Sequence, residues 1–154
     1  MTHDISILLD LLDQAYDHTS WHGTNLRGSL LGLTESAALW RPRKERHNIW
    51  EIIVHAAYWK YAVRRRLTGE KKGSFPLKGS NWFVRSEGDD LKSGIRLLAD
   101  EHARLRKAVA GLDPGRLDRA VPKSRLTHRF LITGAASHDL YHAGQIQLLK
   151  RLQA

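Results

Sequence analysis

Cysteine is absent from this chain of 154 residues. Its absence excludes a disulfide framework, a thiol nucleophile belonging to the protein and any cysteine-ligated zinc or iron–sulfur centre. A bound metal ion would therefore need histidine, aspartate or glutamate ligands. Nine histidines and 16 carboxylate side chains could supply them.

Long apolar runs are absent as well. Every stretch free of Lys, Arg, Asp and Glu is well short of the ~18 residues that a membrane-spanning helix needs. Residues 1–4 (MTHD) lack the basic and then apolar layout of a secretory signal. We therefore expect a cytoplasmic protein that has no membrane partner.

The remaining composition is that of an ordinary globular protein, with 42% hydrophobic and 27% charged residues. A chain of this length can bury one core without covalent cross-links. We therefore expect a single domain over residues 1–154.

The net charge of +9 is distributed unevenly. Residues 1–40 carry one basic and five acidic side chains, whereas residues 41–154 carry 24 basic and 11 acidic ones. A polyanionic partner would suit this balance. However, Arg64, Arg65 and Arg66 are consecutive and fan out by about 100° each on a helix. A solvated basic surface is therefore favoured over a nucleic-acid site.

Apolar residues recur at helical spacing in four segments, and no segment alternates as strongly as a strand would. The first segment, residues 5–33, is interrupted at Gly23, which predicts either one kinked helix or two helices in line. The second begins at Asn48, where Glu51 completes a pattern like a capping box, and Gly69 is a plausible stop.

The third segment starts at two aspartates and covers residues 89–112, and the fourth covers residues 135–152. These amphipathic helices predict an all-α fold, a four-helix bundle. Residues 70–88 form a link longer than the roughly 2–8 residues usual between bundle neighbours, which predicts a long crossover between the second and third helices. We expect this crossover to pack on the bundle and help to close a pocket, because it contains Phe75, Trp82 and Phe83. The alternative is that these aromatic residues form a separate cluster far from the metal ion.

Three histidines lie on predicted core faces. His138 and His142 are four residues apart, about 40° around the helix axis, so both imidazoles could bind one metal ion. For an isolated pair, the simpler interpretation is two core histidines satisfied by hydrogen bonds. His55, beside Ile52 and Trp59 on the second helix, also faces an apolar seam and adds a third ligand. Three protein ligands leave open positions, which is typical of catalytic metal sites.

Two of these segments resemble a known family. Residues 47–59 (HNIWEIIVHAAYW) are similar to the second helix of the DinB-like (DinB/YfiT) family, and residues 137–146 (SHDLYHAGQI) resemble its last-helix signature. Residues 21–26 and 41–42 resemble segments of a subgroup. The resemblance implies a four-helix bundle with a long crossover after the second helix. It also implies a divalent metal ion, usually nickel or zinc, bound by three histidines, which by position are His55, His138 and His142.

The other histidines have competing interpretations. His18 and His22 precede Gly23, and a surface pair is favoured over a role for His22 at a pocket edge. His102 lies on the core face of the third helix, either as a hydrogen-bonded core residue or as a donor near the metal ion. His47 is expected to cap the start of the second helix.

Three further polar residues lie close to the histidines in sequence. Glu51 is expected to cap the second helix, although it could instead orient His55 or act as a base beside the metal ion. Asp139 points about 100° away from the ligand before it, which makes it a poor fourth ligand. Gln145 could bind a metal-bound water or a neighbouring backbone carbonyl.

Three classes of function remain open. The leading hypothesis is a metal-dependent enzyme, either a thiol-dependent transferase or a hydrolase, that acts on an unidentified small molecule. The thiol would be a low-molecular-weight cofactor, since members of the resembled family use such thiols and this chain has no cysteine. The second class is a non-catalytic, stress-related protein that binds a metal or ligand, and the third is a nucleic-acid-associated protein. We further expect a homodimer.

Overall fold

A computed structural model describes residues 2–154. Within this range the chain forms six α-helices, a 3₁₀ turn at Pro114–Arg116 and no β-strand. The helices are α1 (His3–Tyr16), α2 (Leu26–Ser29), α3 (Glu35–Leu39), α4 (Ile49–Thr68), α5 (Leu91–Ala110) and α6 (His128–Arg151). Four of them are long, which confirms the predicted all-α bundle. None of the helices in the described range is both long and apolar enough to cross a membrane.

The four long helices pack against one another around a shared core. Helix α4 lies along α5 and also contacts α6, while α1 packs on both α5 and α6. The short helix α2 packs on α6, and α3 packs on α4. The crossover of residues 70–88 joins α4 to α5, as the sequence predicted.

The first apolar segment forms two separate helices, so the alternative of one helix kinked at Gly23 is wrong. The first helix ends at Tyr16, and Gly23 adopts the left-handed backbone (φ +94°), which a continuous or merely kinked helix does not contain. The Asn25 side chain then caps a new helix by accepting a hydrogen bond from Gly28 N–H (2.8 Å). It also donates to the His18 carbonyl (2.9 Å) and so closes the loop. Because this second helix is a single turn, the segment is not one helix kinked at Gly23.

Local capping explains where the long central helices begin and end. Asn48 and Glu51 form a complete capping box at the start of α4, and Gly69 ends that helix in the left-handed conformation (φ +77°). Asp90 forms the equivalent box with Ser93 at the start of α5. These boundaries confirm the capping predictions, because each depends on groups only three residues apart.

Two apolar clusters fill the bundle, with a polar layer between them. One cluster contains α4 residues up to Ala57, α5 residues up to Leu98 and α6 residues from Ala143 onward. The other contains the opposite ends of the same helices, together with most of the buried face of α1. The helix segments between the two clusters carry several of the buried polar side chains, including Lys60, Glu101, His102 and Asp139.

The crossover packs on the bundle as expected. Phe83 is buried, and its ring lies 5.4 Å from that of Tyr58 on α4. Phe75 contacts the same tyrosine, with ring centroids 5.3 Å apart. The crossover therefore belongs to the core that supports α4 near His55.

Candidate metal centre

The three predicted histidines meet between α4 and α6. The His138 Nε2 atom lies 3.2 Å from His55 Nε2 and 3.0 Å from His142 Nε2. One nitrogen from each ring lies within 4.8 Å of the others. His55 and His142 are buried, and His138 is partly buried. The one-turn spacing on α6 and the facing position on α4 therefore produce the convergence that the sequence indicated.

The outer nitrogens of two rings are fixed by hydrogen bonds. The His55 Nδ1–H group donates to the backbone carbonyl of Asn81 (2.7 Å), and the His142 Nδ1–H group donates to Gln145 Oε1 (2.7 Å). A neutral imidazole with a proton on Nδ1 keeps a free lone pair on Nε2. Both anchored rings therefore turn an acceptor nitrogen toward the centre, which is the usual arrangement around protein-bound metals.

The donor set fits a divalent metal ion. A single proton on His138 Nε2 could satisfy only one of its two short contacts, which leaves lone pairs facing each other. A cation between the rings removes that conflict. Ligand nitrogens about 2.0–2.1 Å from an ion are ~2.8–3.4 Å apart in octahedral or tetrahedral coordination, a range that includes the separations of 3.0 and 3.2 Å here. Imidazole nitrogens suit nickel, zinc and copper ions.

The surroundings keep the three rings neutral. Burial lowers the pKa of His55 to about 4, although its hydrogen bond to the Asn81 carbonyl acts in the opposite direction. Burial, together with the neighbouring His142 and His55 rings, lowers the pKa of His138 to about 3. Burial also lowers the pKa of His142. Near neutral pH the imidazoles are therefore unprotonated and able to bind a metal ion.

The crossover contributes two residues to the centre. Asn81 has a left-handed backbone (φ +72°), and its side chain accepts a hydrogen bond from Trp59 Nε1 (2.8 Å) while its carbonyl accepts from His55. Trp82 lies between two histidine rings, with centroids 3.9 Å from His55 and 3.5 Å from His47. These contacts confirm that the crossover helps to close the site.

A pocket of about 550 Å³ opens beside the three histidines. Its walls are formed by the loop before α4, by α4 itself, by the crossover and by the C-terminal half of α6. The lining residues other than the histidines of the centre are Pro42, Arg43, Arg46, His47, Ile52, Trp82, Tyr141, Gln145, Leu148, Leu149 and Leu152. This size accommodates a small organic molecule next to the centre.

Glu51 caps α4 and does not orient His55. It accepts hydrogen bonds from Asn48 N–H (3.2 Å), His47 Nδ1–H (3.0 Å) and the Arg41 guanidinium. Asn48 is the residue that caps α4, so the predicted capping role of His47 is wrong; His47 instead holds the capping glutamate. The partner that orients His55 is the Asn81 carbonyl.

The remaining predicted residues fall into two groups. His18 and His22 are exposed and lie outside the pocket wall, which confirms the surface interpretation. His102 is a buried core residue stacked on Tyr16, with ring centroids 3.8 Å apart. Gln145 Oε1 accepts a hydrogen bond from His142 Nδ1–H, a contact that the sequence did not predict.

Asp139 points away from the histidines, as expected, and pairs with Lys60. Both side chains are almost completely buried, each with 1% side-chain exposure. Burial raises the pKa of Asp139, and the Lys60 ammonium opposes that shift. The sequence reasoning missed Lys60, because nothing local distinguishes it from a surface lysine of α4. It also missed Asn81, whose contribution to His55 is a backbone carbonyl.

These features define a helical bundle with a three-histidine centre between two of its long helices. A family profile described as the DinB superfamily matches residues 18–146, which include all three histidines. The chain therefore belongs to the DinB superfamily. No curated protein and no solved structure gives a significant match to the chain.

Proposed function

We propose that this protein is a metal-dependent enzyme that holds a divalent ion, nickel or zinc, through His55, His138 and His142. The observation that carries the proposal is the convergence of three Nε2 atoms, two of them belonging to rings whose Nδ1–H groups are held by Asn81 and Gln145. Residues that fix ligand orientation commonly control metal affinity. An ordinary pair of core histidines would not need this arrangement.

An ion bound by three imidazoles supplies Lewis acidity toward a water or thiol at its open side. The residues of the chain do the rest. Asn81 and Gln145 hold two ligand rings in place, and Trp82 covers one face of His55. The pocket beside the histidines excludes bulk water from part of the substrate and orients it.

The reaction that suits this site best is transfer between a low-molecular-weight thiol and a small organic substrate. Because the chain has no cysteine, a thiol nucleophile must come from outside the protein. The superfamily membership supports this proposal, and hydrolysis of a small molecule is the related reaction that the same centre supports.

Elemental analysis of the purified protein tests the metal site. We expect about one nickel or zinc ion per chain, and loss of the ion in His55→Ala, His138→Ala and His142→Ala, because each removes one of three ligands. His18→Ala is the matched control, since His18 is exposed and outside the pocket. Unchanged metal content in all three ligand variants would contradict the proposal.

Turnover with a panel of low-molecular-weight thiols, and separately with esters and amides, tests the enzyme class. We expect activity that is lost with the metal ion in His138→Ala and retained in His18→Ala. A protein that binds its metal ion but converts none of these substrates would favour the non-catalytic binding function instead.

A further inference from the structure

We infer that the pocket beside the three histidines binds a small organic anion that also carries an apolar part, and that Arg43 and Arg46 bind its charged group. The inference deepens the proposed function and rests on it for the reaction, although not for the binding of the anion itself. Its evidence is the balance of charge and the distribution of apolar side chains around the pocket.

The loop that carries both arginines is fixed to the bundle by a third one. Arg41 forms a two-pronged ion pair with Glu51 on α4, and the same guanidinium donates to the Arg46 backbone carbonyl (2.7 Å). The Arg46 N–H group also donates to the Arg43 carbonyl (3.0 Å), which closes a turn between them. The backbone of Arg43 and Arg46 is therefore already ordered before a ligand binds. This limits the conformational entropy that the loop loses on binding.

Glu51, the carboxylate that binds this loop through Arg41, already has hydrogen-bond partners of its own. Glu51 accepts hydrogen bonds from Arg41, from His47 and from the Asn48 N–H group. Although burial opposes its ionisation, these donors lower its pKa, so it carries a charge that Arg41 neutralises. Glu51 is therefore not a counter-charge for Arg43 or Arg46.

No other acid balances the two arginines. Among residues 2–154, neither Arg43 nor Arg46 forms an ion pair within 4.0 Å, whereas Arg41, Arg64 and Arg106 each pair with a carboxylate. The pocket lining contains no aspartate or glutamate, and Glu45 of the same loop does not line it. Two positive charges without an ion-pair partner, beside a site for a divalent cation, make the pocket attractive to anions. A guanidinium is also suited to two-point contact with carboxylate or phosphate oxygens.

Apolar side chains form another part of the pocket lining. Ile52, Leu148, Leu149 and Leu152 line the pocket, and Leu148 and Leu152 remain 58% and 57% exposed. A ligand with an apolar part could cover these side chains while its charged group contacts the arginines. Tyr141 lines the same pocket and is 65% exposed, so its hydroxyl is accessible to a ligand. The pocket thus has places for an anionic group, a hydrogen-bond acceptor and an apolar body.

An NMR titration of the full chain tests the inference with four probes that share a six-carbon tail. Hexanoate and hexyl phosphate carry negative charge, hexan-1-ol is neutral and hexylammonium is positive. The signal is the indole N–H of Trp82, which lies in the pocket wall, assigned from its loss in Trp82→Phe. Each probe is titrated into metal-loaded protein and into protein stripped of metal by a chelator.

In the stripped protein we expect both anions to bind about tenfold more tightly than hexan-1-ol, and hexylammonium more weakly than either, because charge-assisted hydrogen bonds favour the anions. The double variant Arg43→Gln, Arg46→Gln should reduce that preference to within about twofold. The variant Arg96→Gln, Lys107→Gln removes the same charge from exposed positions of α5 and should keep the wild-type preference. The tighter of the two anionic probes identifies carboxylate or phosphate as the preferred group.

The titrations separate failure of this inference from failure of the proposed function. Equal binding of all four probes, or an anion preference that survives in Arg43→Gln, Arg46→Gln, would overturn the inference. An anion preference that disappears on chelation would also overturn it, because the metal alone would then hold the anion. If the protein binds no metal but its arginine-dependent preference is present, the proposed function fails and the inference stands.

Discussion

Two polar clusters lie in the helical core, and the same two helices contribute to both. The metal centre takes His55 from α4 and His138 from α6. A second cluster contains Lys60, five residues after His55 on α4, and Asp139, which directly follows His138 on α6. Both clusters are largely buried, yet they differ in how their polar groups are satisfied.

The second cluster, which we call the closed cluster, is electrically balanced within the protein, although the Asp139 Oδ1 atom is buried without a hydrogen-bond partner among the described residues. Lys60 pairs with Asp139 and donates to His102 Nδ1 (3.2 Å), and its ammonium lies 5.1 Å from the centre of the Tyr16 ring. On its α1 side, Asp13 accepts hydrogen bonds from Arg106 of α5 (2.8 Å). Every charged group of this cluster thus has an opposite charge within the protein, which is what burial of charge requires.

The metal centre is the reverse case. Its three imidazoles point acceptor nitrogens at one another, and a pocket reaches them from outside. Burial of a polar group is therefore a poor guide to function in this bundle. The useful distinction is whether the protein itself satisfies the buried group or leaves it to a partner from outside.

The largest effect that we expect comes from opening the closed cluster. Lys60→Met removes the partner of a fully buried carboxylate, and breaking such a pair costs about 3–5 kcal/mol of unfolding free energy. Urea denaturation measures the change. Lys107→Met, on the exposed face of α5, is the matched control and should stay within about 0.5 kcal/mol of wild type.

The double variant Lys60→Met, Asp139→Leu sharpens this test. It replaces both charges by apolar groups, and we expect it to recover most of the stability lost in Lys60→Met. A single variant that loses less than about 1 kcal/mol would show that the pair is not a structural element of the core.

A change to the metal centre should act on affinity rather than on stability. Gln145→Ala removes the acceptor that holds His142 Nδ1–H, and loss of such a partner typically lowers metal affinity by about 10–100-fold. Competition with a chelating dye for zinc or nickel measures the affinity. Gln145→Glu keeps an acceptor and should stay close to wild type, and Gln147→Ala on the same helix is the control. Equal affinity in Gln145→Ala and wild type would contradict the assigned role.

The parts of this structure that sequence predicted are those specified locally. The boundaries of α4 depend on Asn48, Glu51 and Gly69, which act within one turn of the helix ends. The pairing of His138 with His142 follows from helical geometry alone. Position against the apolar seam was enough to add His55, because the seam of a helix faces its neighbours in a bundle.

What the sequence did not reveal depends on contacts between distant segments. Lys60 and Asp139 are 79 residues apart, and only the packing of α4 against α6 brings them together. Asn81 acts through its backbone carbonyl, so its residue type carries no direct signal of that role. The apolar register after Tyr16 left one kinked helix and two helices equally open, and the cap that Asn25 forms on a separate short helix excludes the kinked one.

Trp82 contacts the metal centre and lines its pocket. Its removal should therefore affect ligand binding and metal binding to different extents. Trp82→Ala deletes a ring that stacks on both His47 and His55. The carbonyl that holds His55 belongs to the preceding residue and remains. We expect affinity for hexanoate to fall by about tenfold, as for the loss of one good stacking contact, and metal content to change less. Trp21→Ala, which removes a fully exposed tryptophan, is the control. Loss of metal with unchanged hexanoate affinity would make Trp82 a support for the ligands only.

The smallest effect that we predict is a pH dependence of the free energy of unfolding that arises from His102 in the closed cluster. Burial, followed by the charges of Lys60 and Arg106, lowers the pKa of His102 to about 3 from an ordinary value of 6.5. As the pH falls below 6.5, the unfolded chain takes up a proton at this residue and the folded chain does not. Stability therefore falls with decreasing pH, by at most about 1.4 kcal/mol per pH unit from this one group, until the pH reaches about 3.

Urea denaturation of chelator-stripped wild type and His102→Gln at pH 6 and pH 5 isolates this contribution. The three histidines of the metal centre titrate alike in the two proteins, so their effect cancels in the comparison. Wild type should lose about 1 kcal/mol more than His102→Gln over this interval, since glutamine cannot titrate. His22→Gln, which replaces an exposed histidine, should follow wild type. Equal losses in wild type and His102→Gln would mean that the folded protein protonates His102 in this range, and the closed cluster would then be open to protons.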